Sequence, residues 1–250
     1  MTHIDISEIL AEWPYDPARN VRRISSAEGG EKLQVRLPLG LEQYELDGRP
    51  DGLRPEGFES CLDLFQHRIE HEASQAELTP ADCKRLHEEG VLYYFRYYLC
   101  FQIGDFDRVI RDTERNLRMF DFIGAHSPRP RDRVRVDQHR PYVLRMLASA
   151  KALKLSGEEK FDVAAAALED VVEKIESMPE VSSKTFRLEK ERSLSILAGM
   201  IQEMRAKMPP SERERVRERL GRAVRNEDYE RAARLRDVLE NMEEGEMGSD

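Results

Sequence analysis

One short run of the chain carries the residue types of a zinc site. His67, Glu70 and His71 are spaced as His-x-x-Glu-His, and on a helix two histidines four residues apart lie on one face, as zinc ligation requires. The same helix has an apolar stripe through Phe65 and Ile69, and the histidines lie on its polar flank. We therefore expect a solvated helix edge, with adventitious metal binding or a zinc hydrolase as alternatives.

A strip of arginines is the second candidate, because it concentrates positive charge on an acidic chain. Only Asp132 and Asp137 offset it locally, so it could contact phosphates or an acidic partner helix. No aromatic residues alternate with the arginines, and the net charge of −9 repels polyanions. We predict a solvated loop over 127–135, or arginines paired with nearby acids, and keep a nucleic-acid accessory role as an alternative. The strip consists of Arg129, Arg131, Arg133, Arg135 and Arg140.

An aromatic run over 93–101 could line a binding groove. Four of its members lie at helical spacing: Tyr94, Tyr97, Tyr98 and Phe101. Packing between helices explains such spacing, and a concave face built this way can also receive a peptide. We predict packing, with a peptide groove as the alternative.

No arrangement of a nucleophile and a base has local support in the chain. Cys61, Cys83 and Cys100 are too few and too scattered for a disulfide framework, and we expect buried thiols. We predict no catalytic residue, no cofactor and no bound metal.

Composition limits the classes of protein to which the chain can belong. Of its 250 residues, 40% are hydrophobic and 36% are charged, with 49 acidic against 40 basic side chains. No run of 18 apolar residues could cross a membrane, and residues 1–13 lack the pattern of a secretion signal. An acidic chain does not coat nucleic acid or an anionic membrane by its bulk charge. We predict a cytoplasmic protein that contacts no membrane and for which nucleic acid is an unfavoured partner.

The first 57 residues are predicted to form a small β segment. Residues 33–37 alternate apolar and polar side chains, which is typical of a half-buried strand, and 41–46 follow as a second strand. Two turn signals over 47–52 end the segment. Because an isolated hairpin is marginally stable, we expect it to pack on the helices that follow.

Residues 58–208 have the periodicity of helices. The predicted helices cover 58–69, a stretch from Thr79 to Gly104, one from Asp105 to near Gly124, then 141–155, 161–178 and 182–208. The stretch 98–110 resembles the turn of a tetratricopeptide repeat, with Gly104 ending one helix and Phe106 packing back between the pair. Gly157 and Phe161 resemble a looser second copy. The resemblance implies helical hairpins without a regular solenoid.

Residues 209–243 are predicted to form one more helical hairpin. Two prolines block helix continuation, and Ser211 with Glu214 fits a capping box that starts a new helix. Nine arginines balance nine acids over 211–243, so the hairpin is neutral and offers many i,i+4 ion pairs. The apolar seam is predicted to contain Val216, Leu220, Ala223, Val224, Tyr229, Ala232, Ala233, Leu235, Val238, Leu239 and Met242, with Asn226 in the turn.

The ten residues Asp-Tyr-Glu-Arg-Ala-Ala-Arg-Leu-Arg-Asp at 228–237 closely resemble the UVR motif, the helical hairpin found in the excision-repair proteins UvrB and UvrC. In such proteins the motif is a protein–protein contact. The resemblance implies that the contact surface is formed or oriented by Tyr229, Ala232, Ala233, Leu235 and Asp237, with Leu239 continuing it. It also implies a bacterial protein that binds another protein, or a second copy of itself, through a coiled-coil-like hairpin.

Two motifs of better-known UVR proteins are missing from the sequence. It contains neither the phosphate loop that UvrB-like helicases need nor the Cys-x-x-Cys zinc pairs of the kinase activators that share the hairpin. We therefore predict a non-enzymatic adaptor, in protein quality control or DNA repair. The predicted architecture is mainly α: a β-hairpin segment (1–57), a helical body (58–208), the UVR-like hairpin (209–243) and a disordered tail (244–250).

Overall fold

The computed structural model describes residues 5–27, 29–71, 77–210 and 212–247. The chain divides into two compact units, residues 1–205 and 206–250. As predicted, most of it is helical, with a small antiparallel sheet near the N-terminus and a helical hairpin near the C-terminus. None of the helices in the described ranges combines the length and the apolar character needed to cross a bilayer.

The sheet of the first unit has three strands, and the middle one carries two of its three buried apolar side chains. Strand β2 (Glu31–Leu37) pairs antiparallel with β1 (Val21–Ser25) on one side and with β3 (Gly40–Glu45) on the other. Leu33 and Val35 are buried and, with side chains from the helices, form a common apolar cluster. The expected packing of the β segment on the helices is confirmed.

Strand β1 is the element that the predicted two-stranded hairpin lacked. Its sequence is Val-Arg-Arg-Ile-Ser, and none of its residues is fully buried. Because Arg22 and Arg23 are adjacent, the segment lacks the alternation of polar and apolar side chains that indicates a strand. Strand β1 is stabilised by its pairing with β2, and the local sequence of β1 gives no indication of that pairing.

The helices of the first unit follow the predicted periodicity closely. Helix α3 packs against α4, α4 against α6, and α6 against α7. The resemblance of this region to tetratricopeptide repeats remains a prediction. The helices are α1 (Ser7–Glu12), α2 (Cys61–His71), α3 (Pro80–Gln102), α4 (Phe106–His126), α5 (Pro130–Asp137), α6 (Arg140–Gly157), α7 (Phe161–Glu176) and α8 (Lys184–Lys207).

Local capping explains why α3 and α4 begin where the sequence indicates. The Thr79 side chain accepts a hydrogen bond from the backbone N–H of Asp82, and the Asp82 carboxylate accepts from the Thr79 N–H, which is a complete capping box. Gly104 adopts φ +73° between the two helices, a conformation that glycine reaches without steric cost. Asp105 then caps α4.

Helix α5 corrects the predicted polar loop over 127–135. It begins at Pro130, whose fixed φ suits the first turn of a helix. Val136 is buried among the helices around it and so stabilises the turn that ends at Asp137. The arginine strip therefore lies mostly on a short helix.

A buried carboxylate joins α2 to α3. Glu89 of α3 is 1% exposed, and its oxygens accept hydrogen bonds from the backbone N–H groups of Cys61 (2.7 Å) and Leu62 (3.3 Å) at the start of α2. These groups have no partner within their own helix. Arg115 of α4 pairs with the same carboxylate, so one side chain connects three helices.

A buried guanidinium joins the sheet segment to the helices. Arg96 of α3 is 1% exposed and binds Asp112 of α4 through two hydrogen bonds of 2.7 and 2.9 Å. Its third nitrogen donates to the backbone carbonyls of Glu45 and Gly48, both at 2.8 Å, at the end of β3. The Tyr93 ring lies 4.9 Å below the same guanidinium. Every nitrogen of Arg96 therefore has a partner.

The second unit contains the predicted hairpin, made of α9 (Glu212–Arg225) and α10 (Tyr229–Met247). The two helices pack along a narrow seam of small and medium apolar side chains. Small residues at the seam allow the helix axes to approach closely. Its buried members are Val216, Ala223, Ala232 and Leu235, and its half-buried members are Leu220, Leu239 and Met242.

Asn226 lies in the turn of the hairpin, as predicted, and the residue after it has an unusual backbone conformation. Glu227, next to the predicted turn residue Asn226, adopts the left-handed conformation with φ +57°. Asp228 then caps α10 by accepting a hydrogen bond from the Arg231 backbone N–H at 3.1 Å. Val224 and Tyr229, both placed in the seam by the sequence analysis, are 49% and 70% exposed on either side of this turn.

Two further predictions concern the ends of the hairpin. The capping box of Ser211 and Glu214 lies outside the described residues and side chains. Helix α10 continues to Met247, past the residue at which the predicted hairpin ends. Residues 244–247 of the predicted disordered tail are therefore helical, and 248–250 lie outside the described residues.

Candidate functional site

The predicted contact residues of the UVR-like hairpin separate into two groups. Ala232 is 3% exposed and Leu235 is 8% exposed, and both pack inside the seam with the half-buried Leu239. These side chains hold α9 to α10, and Ala232 and Leu235 are too deeply buried to contact a partner while the hairpin is closed.

The remaining predicted contact residues form an exposed row along α10. Tyr229, Ala233 and Asp237 follow one another at intervals of four residues, so they lie on one side of the helix. All three are exposed, Tyr229 most of all at 70%. We call these three residues the exposed row. In this row Tyr229 offers a partner an aromatic anchor, Ala233 leaves room for close approach, and Asp237 supplies a fixed charge.

A cavity of about 410 Å³ lies among α3, α4, α6 and α8 in the first unit. Two of the predicted groove residues line it, Tyr94 and Tyr97. The other two do not: Tyr98 stacks on Tyr94 with ring centroids 6.3 Å apart, and Phe101 meets the Phe106 ring at 5.8 Å. Two residues of the aromatic run therefore line the cavity, and the other two pack against neighbouring aromatic rings.

Three polar residues of this cavity were not singled out by the sequence analysis. His87, His139 and Glu189 come from α3, from the turn before α6 and from α8, respectively. Burial lowers the pKa of both histidines below the ordinary histidine value, so both are neutral near pH 7. Single polar residues far apart in sequence form no motif, and only the packing of the helices brings these three together.

The arginines of the predicted strip have different partners. The guanidinium of Arg129 binds both oxygens of Asp132 at 2.8 Å, and Arg133 donates to the backbone carbonyl of Ser127. Arg140 pairs with Asp121 and Asp137. The predicted pairing with nearby acids is therefore correct for part of the strip.

Two arginines of the strip have unpaired side chains. The guanidinium groups of Arg131 and Arg135 have no hydrogen-bond or ion-pair partner among the described residues, and both residues line a smaller cavity of about 230 Å³. They are one helical turn apart on α5. Of the five arginines of the strip, these two are therefore the ones whose side chains are left for contact with an anion.

The candidate zinc residues are arranged as an ordinary helix edge. The rings of His67 and His71 stack with centroids 4.2 Å apart, and His71 Nδ1 donates to the backbone carbonyl of His67 at 2.8 Å. Over the described ranges, no three His, Cys, Asp or Glu side chains converge as a metal site requires. The three cysteines are buried, and burial raises the pKa of each thiol.

Comparison with known proteins identifies the hairpin. Residues 211–245 match the family model of the UvrB/uvrC motif, which confirms the resemblance seen in residues 228–237. No curated protein and no solved structure matches the chain significantly. The second unit therefore carries a UVR-type module, and its exposed row is the candidate interaction surface.

Proposed function

We propose that the protein is a non-catalytic adaptor that binds another protein through the exposed row of its UVR-type hairpin. The observation that carries this proposal is the position of Tyr229, a large aromatic side chain left 70% exposed on a module that matches the UvrB/uvrC motif. Tyrosine is enriched at protein interfaces because its rigid ring covers much area at a low entropy cost.

The composition of the seam supports the same proposal. Four small or medium residues are buried between α9 and α10, and so little apolar area stabilises a pair of short helices only weakly. A partner that covers the exposed row would add apolar area to the module. Protein quality control and DNA repair are the two settings in which we propose that this binding acts, and the identity of the partner distinguishes them.

Affinity capture with the full-length chain tests the proposal. We expect Tyr229→Ser to lose a partner that the unaltered chain retains, with a fall in affinity of about tenfold or more, the size typical of a tyrosine anchor at an interface. Tyr15→Ser is the matched control, because Tyr15 is also exposed, at 42%, but lies outside the hairpin.

Circular dichroism of each variant must show unchanged helical content for the comparison to hold. Sedimentation velocity of the purified chain shows whether it forms a dimer, in which case the partner is a second copy of the chain. Equal retention by both variants and by the unaltered chain would contradict the proposed role of the exposed row.

A further inference from the structure

The cavity among α3, α4, α6 and α8 has aromatic walls and an opening to solvent. The rings of Tyr94 and Tyr142 lie 5.8 Å apart, centroid to centroid, at an angle of 57°. Phe95 both lines the cavity and is 44% exposed, so the cavity opens beside it. A volume of about 410 Å³ lies within the range of pockets that bind small ligands.

One wall of the cavity carries a carboxylate that needs a hydrogen-bond donor. Glu189 Oε2 is buried and accepts no hydrogen bond from the described residues. No cationic nitrogen of those residues lies within ion-pair distance of it either; the nearby Arg145 instead stacks on Tyr142 and donates to Ser193. The Glu189 side chain is half-buried, and leaving its buried oxygen without a donor is costly.

The lining has a definite charge. Apart from Glu189 its residues are apolar, aromatic, an amide or histidine, and partial burial keeps the two half-buried histidines neutral near pH 7. The lining therefore presents one negative charge beside aromatic rings, while the Arg145 guanidinium, which is not part of the lining, already lies 4.9 Å from the centre of the Tyr142 ring. The carboxylate and the rings both attract cations, since the face of an aromatic ring is the negative end of its quadrupole.

We propose that this cavity binds a primary alkylammonium group, whose N–H groups donate to Glu189 and whose alkyl portion lies against Tyr94 and Tyr142. A primary ammonium supplies both the positive charge and the missing donors, which a neutral ligand or a quaternary ammonium does not. Free amines and lysine side chains both carry this group. The site is built from the first unit alone and is independent of the role proposed for the hairpin.

Isothermal titration of the full chain at pH 7.5 with two probe pairs tests the proposal. The first pair is 2-phenylethylamine and its neutral analogue 2-phenylethanol, and the second is Nα-acetyl-lysine amide and Nα-acetyl-norleucine amide. We expect one or both ammonium compounds to bind and their neutral analogues to bind at least roughly tenfold more weakly, as is typical for a hydrogen bond between charged groups. Binding of the phenylethylamine alone indicates a free amine, and binding of the lysine amide indicates a peptide side chain.

A variant pair locates the binding. Glu189→Gln keeps the shape of the side chain and removes its charge, so ammonium binding should weaken roughly tenfold to a hundredfold. Glu191→Gln removes an exposed charge from the same helix and should leave binding unchanged. Equal binding of the charged and neutral probes, equal effects of the two variants, or no binding of either ammonium compound would overturn the proposal.

Discussion

Arg96 illustrates how a single side chain can determine how two parts of a fold are joined. Its guanidinium is buried, and the hydrogen bonds that it donates are accepted by the Asp112 carboxylate and by the backbone carbonyls of Glu45 and Gly48. Burying a charge is unfavourable unless its partners compensate for the lost hydration. Here the compensation comes from elements distant in sequence, so the sheet segment and the helices depend on each other.

Replacing Arg96 should therefore be strongly destabilising. Arg96→Met keeps much of the side-chain volume but leaves Asp112 without its bidentate partner and two carbonyls without donors. We expect the free energy of unfolding to fall by about 3–5 kcal/mol, as when one partner of a buried ion pair is removed, measured by urea denaturation.

Arg54→Met is the control for this measurement, because Arg54 pairs with Glu59 at the surface, where both side chains are more than half exposed. Removing such a pair changes stability by less than about 1 kcal/mol. Similar effects of the two substitutions would contradict the structural role assigned to Arg96.

The polar residues that matter most could not be identified from the sequence. Glu89 and Arg96 lie at the spacing of the buried residues Leu86, Tyr93 and Cys100 on α3, but charged side chains normally face solvent. Both are buried because their partners are brought to them by other elements. A buried ion pair between helices has no local signature in sequence.

At the scale of single elements, one face of α10 packs against α9 and stabilises the hairpin, whereas the other face is exposed to solvent. Leu235 packs in the seam, whereas Val238 is 40% exposed. A charge at Leu235 would have to be buried, and a charge at Val238 would remain in water.

Leu235→Asp should unfold the hairpin rather than remove a contact with a partner. We expect circular dichroism to show a loss of helical signal equivalent to α9 and α10, which have 14 and 19 residues. Val238→Asp should keep that signal. Full helical content in Leu235→Asp would be inconsistent with a seam at this position.

Elements with local signals were predicted well, and elements stabilised by distant partners were not. The start of α3 follows from Thr79, a proline and Asp82, which form the cap within four residues. Strand β1 and helix α5 were not predicted, because β1 depends on pairing with β2 and α5 on the burial of Val136. The UVR-type hairpin was found because its motif is continuous in sequence.

The candidate cavity shows the same limit at the scale of the whole chain. Tyr94 was noticed as part of an aromatic run, but Glu189 lies 95 residues later and His139 between them. None of these residues is part of a recognisable pattern. Only the packing of the helices of the first unit reveals that Glu189, whose Oε2 accepts no hydrogen bond from the described residues, lines the same cavity as these aromatic rings.

The half-buried histidines should make the stability of the protein depend on pH. Burial lowers the pKa of His87 and His139 in the folded state, while in the unfolded chain the pKa returns to about 6.5. As the pH falls below about 6.5, the unfolded chain takes up protons first, so the free energy of unfolding decreases. The stabilisation is complete above that pH and is lost towards the lowered pKa values.

Urea denaturation at pH 7.5 and pH 5.5 measures this effect. We expect His139→Gln to reduce the loss of stability between the two pH values by up to about 1.4 kcal/mol per pH unit, the limit for one proton. Comparing each protein with itself at pH 7.5 removes the effect of altered packing. An unchanged pH dependence in His139→Gln would show that this histidine does not contribute.

The backbone conformation of Glu227 opposes closure of the hairpin. A left-handed conformation costs a residue other than glycine about 1–2 kcal/mol, and Glu227 adopts it at φ +57° in the turn between α9 and α10. Glycine at this position would avoid the strain, although part of that gain would be offset by the larger conformational entropy that glycine loses on folding. Because of this strain the two helices of the hairpin separate more readily, and a ligand that contacts both of them shifts the equilibrium towards the closed form.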